Sequence, residues 1–178
     1  DYAVGMSRLG RGDGSTAIAV NMHLTATAVM LRMFMDAAGS DSSPLAALVG
    51  GLMKGVAGGQ VLAAVFATEA GNALAYPQAE AVLDGDGYVV NGRKSFGTLS
   101  PAATIYFVPV RVKRDDGKYA AAMVTMTKGI AGLEIKDNWD AMGMRASGSN
   151  DVVLTDVRVS RGSVAISEGE LGVAGPDN

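Results

Sequence analysis

The sequence contains no cysteine, which excludes a disulfide framework, a thiol nucleophile and a zinc–thiolate centre. It has one histidine, His23, so a serine–histidine–acid triad would have a single possible base, and no nucleophile elbow is present to serve it. No second histidine and no carboxylate cluster on one helix face offer metal-ligand spacing. His23 lies among apolar residues and is expected to be a satisfied core histidine. Basic residues number 15 against 18 acidic, for a net charge of −3. They are scattered, so no stripe tracks a nucleic-acid backbone. No basic region precedes an apolar one, so no signal peptide is read, and with no cysteine present the expected location is cytoplasmic. The longest apolar stretch, Ser15 to Met35, carries Asn21, His23, Arg32 and three threonines. It reads as a helix of a soluble protein and not as a membrane span. Glycine is abundant, yet "GRGDG" and "GGLMKGVAGG" match neither a phosphate loop nor a dinucleotide fingerprint.

What is present is a chain of 178 residues, about half of them apolar, which is enough for a real core. From Asp13 to about Met35 the composition is that of a helix, with Asp13 or Ser15 as its N-cap. Apolar residues occur nearly all round it, so other elements are expected to enclose it. A second helix is expected from Pro44, with Ser43 as its cap and Leu45, Leu48, Val49, Leu52, Met53 and Val56 at helical spacing. After Gln60 the pattern changes to short strands with turn signals. "VLAAVFAT" is an apolar strand candidate, and "AEAVL" and "YVVNG" form a hairpin around "DGDG". "TIYFVPVRV" and "YAAAMVTM" form a second hairpin around "KRDDGK", and "GLEIKDNW" and "NDVVLTDVRV" complete the set. The fold class is therefore α+β: N-terminal helices followed by an antiparallel β-barrel or sandwich. The expected division is 1–64 for the end of a helical domain, 65–160 for the β-domain and 161–178 for a linker or tail. The first residue is Asp1 and not methionine, so the chain is expected to be part of a longer protein.

Two short stretches carry the candidate chemistry. In "FATEAG" and "KSFGT" a threonine, Thr68 or Thr98, ends a strand, and the aromatic Phe96 stands two residues before Thr98. A flavin needs such a surface: N–H and hydroxyl donors along its pyrimidine edge and an aromatic against the ring. Two ordinary strand ends would give the same residues.

Three motifs in order resemble the acyl-CoA dehydrogenase family. "ATEAGNALAYP" is similar to that family's Thr-Glu-Pro-Gly-rich flavin loop. "YVVNGRKSFGTLSPAA" is similar to its Asn-Gly-x-Lys-x-aromatic-x-Thr/Ser strand. "WDAMGMRASGSNDVVLTDVRV" resembles the stretch that closes its middle β-domain, and "LGRGDGSTAIAVNMHL" resembles the helix before it. The resemblance runs from about Leu9 to Val159. It implies a helical domain, a middle β-domain and a C-terminal four-helix domain, assembled as a homo-oligomer, a dimer or tetramer. It implies FAD as cofactor, an acyl-CoA or similar thioester as substrate, fatty acid metabolism as the setting, and an electron-transfer partner or oxygen as acceptor. In the family's usual reaction a glutamate removes the α-proton and the β-hydrogen leaves as hydride to the flavin. Carried over by motif, Phe66, Ala67 and Thr68 line the pyrimidine side, Phe96 stands beside the ring, and Gly97 and Thr98 add contacts. Arg145 and Ser147 match a segment that is more often structural. Two departures bear on substrate: Ala70 replaces the usual proline, and Leu74 replaces the serine that commonly contacts flavin and thioester, so Leu74 is the substrate-side candidate. The family's glutamate lies in helices after the β-domain, so no catalytic base is named here. A flavin monooxygenase of the same fold and a non-catalytic scaffold relative share these motifs.

Overall fold

The computed structural model describes residues 1–38, 44–71 and 76–170. Among them no helix is long and apolar enough to cross a membrane. Helix α1, Tyr2–Gly12, has no counterpart in the sequence reading, because Gly5, Gly10 and Gly12 are poor helix formers. It is held by packing against α2, Gly14–Ala38, and by the Tyr2 hydroxyl on Asn21. Asp13 joins the two helices: its amide donates to the Leu9 carbonyl at 3.0 Å, and its carboxylate accepts the Thr16 amide as the N-cap of α2. That amide holds the Asp13 carboxyl below its ordinary range. α2 is covered by α1, α3 and the sheet but leaves Ile18 and Leu24 each 38% exposed. Helix α3, Pro44–Ala57, starts on Pro44 as its fixed φ favours; Ser43 lies outside the described residues. His23 is structural, since its Nδ1 accepts the Ala63 amide at 2.9 Å and ties α2 to the first strand.

Among the described residues eight strands follow: β1 (Ala63–Val65), β2 (Glu80–Asp84), β3 (Gly87–Gly97), β4 (Ile105–Lys113), β5 (Tyr119–Thr127), β6 (Leu133–Ile135), β7 (Asn150–Ser160) and β8 (Val164–Glu170). They form one sheet in the order β6-β7-β3-β2-β4-β5-β8, with β1 also on β4. Both expected hairpins are present. β2 and β3 pair from Glu80↔Asn91 to Asp84↔Gly87, and β4 and β5 pair from Ile105↔Thr127 to Lys113↔Tyr119. Two pairings are parallel, β1 with β4 and β2 with β4. A crossover pairing leaves no turn signal between its strands, so the sequence did not show them. The segment read as a linker, 161–178, instead begins with a short 3-10 turn and contributes β8, which pairs with β5 and covers its edge.

Alternation along β4 divides the interior. Tyr106, Val108, Val110 and Val112 face the main core with Phe66, Val90, Val124, Met126, Val152 and Val157. Phe107 faces the other way and packs with Ala63 and with Ala26 of α2. Residues of β5 and β7 share the main core although their strands stand four places apart in the sheet, so the sheet curls over itself.

One irregularity positions the site. β5 occupies one side of β4 along its whole length, and β1 and β2 share the other side in succession. The Phe66 amide donates to the Phe107 carbonyl, and the Arg111 amide donates to the Ala79 carbonyl, both at 2.9 Å. Between these bonds β1 has ended and β2 has not begun, and there β4 carries Pro109. Proline has no N–H to leave unpaired, so it suits this break. After Phe66 the chain leaves the edge of β4, and it meets that edge again at Ala79.

Candidate functional site

The gap is filled by a buried ion pair. Lys94 points inward from β3, fully buried, and its ammonium donates to Glu69 Oε1 and to the Pro109 carbonyl, the latter at 2.6 Å. Glu69, 8% exposed, also accepts the amides of Gln78 and Ala79, the latter at 2.9 Å. Burial pushes the Glu69 carboxyl up, but Lys94 and the two amides together outweigh it and hold the group below the ordinary carboxylate range. Burial lowers the Lys94 ammonium, and Glu69 offsets part of that effect. A carboxylate with these donors is a strut and not a poised base.

The strut joins the two candidate motifs. Next to it Thr68 and Ser95 form an isolated antiparallel bridge, the Ser95 amide donating to the Thr68 carbonyl at 2.8 Å. Because Glu69 has a lowered carboxyl, its contribution to stability is complete above the ordinary carboxylate range and is lost as pH falls through its folded-state value. Thermal midpoints measured from about pH 6 to about pH 3 are expected to fall steeply at the acid end, and Glu69→Gln is expected to flatten that slope. An unchanged slope in the variant would remove the strut from the account.

The sequence-derived candidates divide by where their side chains go. Phe66 is fully buried and stacks on Tyr106, with ring centroids 4.9 Å apart. Its amide is spent on β4, so it shapes the site from below. Ala67 is half-buried and Thr68 is exposed. Phe96 is 59% exposed with φ +55°, a left-handed conformation that is uncommon for a bulky residue. Trp139 braces it edge-on, with centroids 5.9 Å apart and planes at 78°. The Trp139 indole donates to the Met144 carbonyl, and its amide donates to Asn150 Oδ1, both at 3.0 Å. A Cβ on Gly97 would stand 2.9 Å from the Asn150 carbonyl and 3.0 Å from the Phe66 ring, so only glycine lets the turn lie this close to the core. Thr98 is nearly buried, and its hydroxyl meets that of Ser149 at 2.9 Å. Leu74, and Ala73 and Ala75 beside it, lie outside the described residues. A cleft of 550 Å³ opens beside the strut between Ala70, Gln78, Gly92, Arg93 and Ser95. Among the described residues no group of histidines and carboxylates could hold a metal ion.

The sequence reading missed Lys94, Trp139 and Ser149. Lys94 lies four residues after buried Val90 on one strand, so the period of two already turned it inward. Trp139 and Ser149 carry no such signal, because loop residues are placed by tertiary contacts.

Residues 64–157 match the model of the acyl-CoA dehydrogenase middle domain. The chain belongs to the acyl-CoA dehydrogenase family. It is 28% identical over 86% of its length to L-evernosamine nitrososynthase of a Micromonospora strain, covering 35% of that protein. It is 31% identical over 88% of its length to the putative acyl-CoA dehydrogenase YdbM of Bacillus subtilis, covering 39%. Its fold superposes on the KijD3 structure in complex with FMN and dTDP-3-amino-2,3,6-trideoxy-4-keto-3-methyl-D-glucose, with a TM-score of 0.80 and 26% identity, over 94% of this chain and 39% of that one. The chain thus spans about two fifths of the length of these relatives.

Proposed function

We propose that this chain is the flavin-facing part of a flavin-dependent oxidoreductase. The observation that supports it is Phe96: a large aromatic held out of the core by left-handed backbone and braced by Trp139, beside Ala67, Thr68 and Thr98. A flavin ring is flat, apolar at one end and rich in hydrogen-bonding groups at the other. The residues fit such a group. Phe96 and Trp139 supply an aromatic edge, Thr68 and Thr98 supply hydroxyls, and Gly97 keeps the turn close. When bound, the flavin supplies hydride acceptance. This chain's residues orient the ring and exclude water from one of its faces. FAD is the cofactor of this reading, and the FMN held by KijD3 supports a flavin in general.

For the complete protein the reading is α,β-dehydrogenation of an acyl-CoA thioester, with an electron-transferring partner or oxygen as acceptor, in a cytoplasmic homo-oligomer. The family and relatives such as YdbM support it. A second reading has its own support. Ala70 and Leu74 replace the proline and serine of the family's loop, and nitrososynthases are among the similar proteins. This reading is an oxygen-using flavin enzyme that oxidises the amino group of a nucleotide-linked sugar. Anaerobic addition of saturated acyl-CoAs to the complete flavoprotein is expected to bleach the flavin band. No bleaching with any chain length, together with oxygen uptake on adding an amino sugar nucleotide and reduced flavin, would move the assignment to the second reading.

Phe96→Ala is expected to weaken flavin retention about two- to tenfold, the size of one aromatic contact, and to shift the flavin absorption band by admitting water. An identical band and affinity would make Phe96 a packing residue.

A further inference from the structure

Thr98, Ser149 and Ser147 form a chain of hydroxyls. Thr98 Oγ1 and Ser149 Oγ are 2.9 Å apart, and Ser149 Oγ and Ser147 Oγ are 2.7 Å apart. All three residues are buried, at 8%, 5% and 2% exposure in that order. The backbone clamps the two ends together: the Leu99 amide donates to the Ser147 carbonyl at 3.0 Å, with Leu99 itself in left-handed backbone at φ +69°. Three hydroxyls carry three protons, but two hydrogen bonds use only two of them. The third proton leaves the chain from Ser147, from Thr98, or from Ser149 if that hydroxyl accepts from both neighbours. If it left from Ser147 or Ser149, it would lie deeper than Thr98, where no further acceptor for it is found among the described residues. A buried donor without an acceptor carries the full cost of desolvation. If it leaves from Thr98, it emerges in the turn of exposed Phe96, on the side that the flavin reading assigns to the ring.

We propose that Ser147 and Ser149 are positioning residues that fix the direction of this chain. Ser147 donates to Ser149, Ser149 donates to Thr98, and Thr98 donates outward to an acceptor atom of the bound group. The inference rests on the flavin reading above and deepens it. The oxidised ring carries acceptor lone pairs on ring nitrogens and carbonyl oxygens, and Thr98 meets one of them as a donor. Each hydroxyl polarises the next, so losing an inner member weakens the outer bond.

The test uses the complete protein titrated with FAD and with FMN, read by fluorescence for affinity and by infrared or resonance Raman spectra in H₂O and D₂O for hydrogen bonding to the ring. Thr98→Val is expected to weaken binding about three- to tenfold and to remove the isotope-sensitive shift, and Thr98→Ser is expected to keep both. Ser149→Ala is expected to weaken binding about two- to threefold and reduce the shift, with Ser147→Ala in the same direction and smaller. Ser149→Thr restores a hydroxyl and is expected to bind like the parent, which guards against a Ser149→Ala variant that fails to fold. Parental affinity and spectrum in folded Ser149→Ala would overturn the relay. If Phe96→Ala alters the flavin while Thr98→Val and Ser149→Ala do not, the flavin reading stands and the relay falls. If none of them, Phe96→Ala included, alters flavin binding, the flavin reading falls with it.

Discussion

Replacing Lys94 by methionine lowers the free energy of unfolding by about 3–5 kcal/mol, measured by urea denaturation. The methionine fills the space of the lysine stem but leaves Glu69 as a nearly buried carboxylate that keeps the Gln78 and Ala79 amides and has lost the ammonium. It also leaves the Pro109 carbonyl without its donor at the break in β4. Removing one partner of a buried ion pair is the expensive case, because the remaining charge keeps its desolvation cost without the attraction that offset it. The double variant Lys94→Met with Glu69→Gln is expected to recover part of the loss, because it removes the charge along with its partner. The contrast is Arg158 with Asp84, an ion pair with both side chains more than half exposed. Breaking that one is expected to cost at most about 1 kcal/mol. Equal losses from the two single variants would contradict the burial argument.

Phe66→Ala comes next in size, at about 3–5 kcal/mol. The ring is fully buried, stacks on Tyr106 and lies under Gly97. Tyr106 in turn supports the Ser100 carbonyl through its hydroxyl at 3.4 Å, so a cavity here loosens the turn that carries Phe96 and Thr98. Phe66→Leu keeps most of the volume and is expected to cost less than about 1.5 kcal/mol, with flavin still bound. The pair separates two roles for Phe66. If Phe66→Leu loses flavin while keeping its stability, the side chain is a ligand contact and not a support beneath the site.

The fold was legible where local signals are strong. Asp-Gly turns matched to strand twist marked the two hairpins. "TIYFVPVRV" reads as a strand, and in the fold Tyr106, Val108 and Val110 share its core face. Pro44 marked the start of α3. Three features were not legible, each for its own reason. Helix α1 is made by contacts with α2, against the propensity of its glycines. The parallel pairings of β4 depend on a crossover that leaves no turn signal. Strand β8 forms because β5 offers an open edge, although "VAISEGE" by itself reads as a tail.

The site was legible in its members and less so in its construction. Motif order drew attention to Thr68, Phe96, Gly97 and Thr98, and the fold brings their two segments together through the Thr68–Ser95 bridge. Glu69 and Lys94 stand inside the same motifs, yet a charged residue is ordinarily read as solvated. Only the gap beside Pro109 shows why both are buried. Trp139 and Ser149 come from the loop before β7, and they reach Phe96 and Thr98 because Asn150 anchors that loop by accepting the amides of Asn138 and Trp139.

The most direct test of the central claim is a flavin titration of the complete protein, oxidised and dithionite-reduced, with the Phe96→Ala variant run beside it. The account predicts one flavin bound per chain, with weaker binding and an altered absorption band in the variant. A folded protein that takes up neither form of flavin, or one whose bound flavin is indifferent to Phe96, would contradict it.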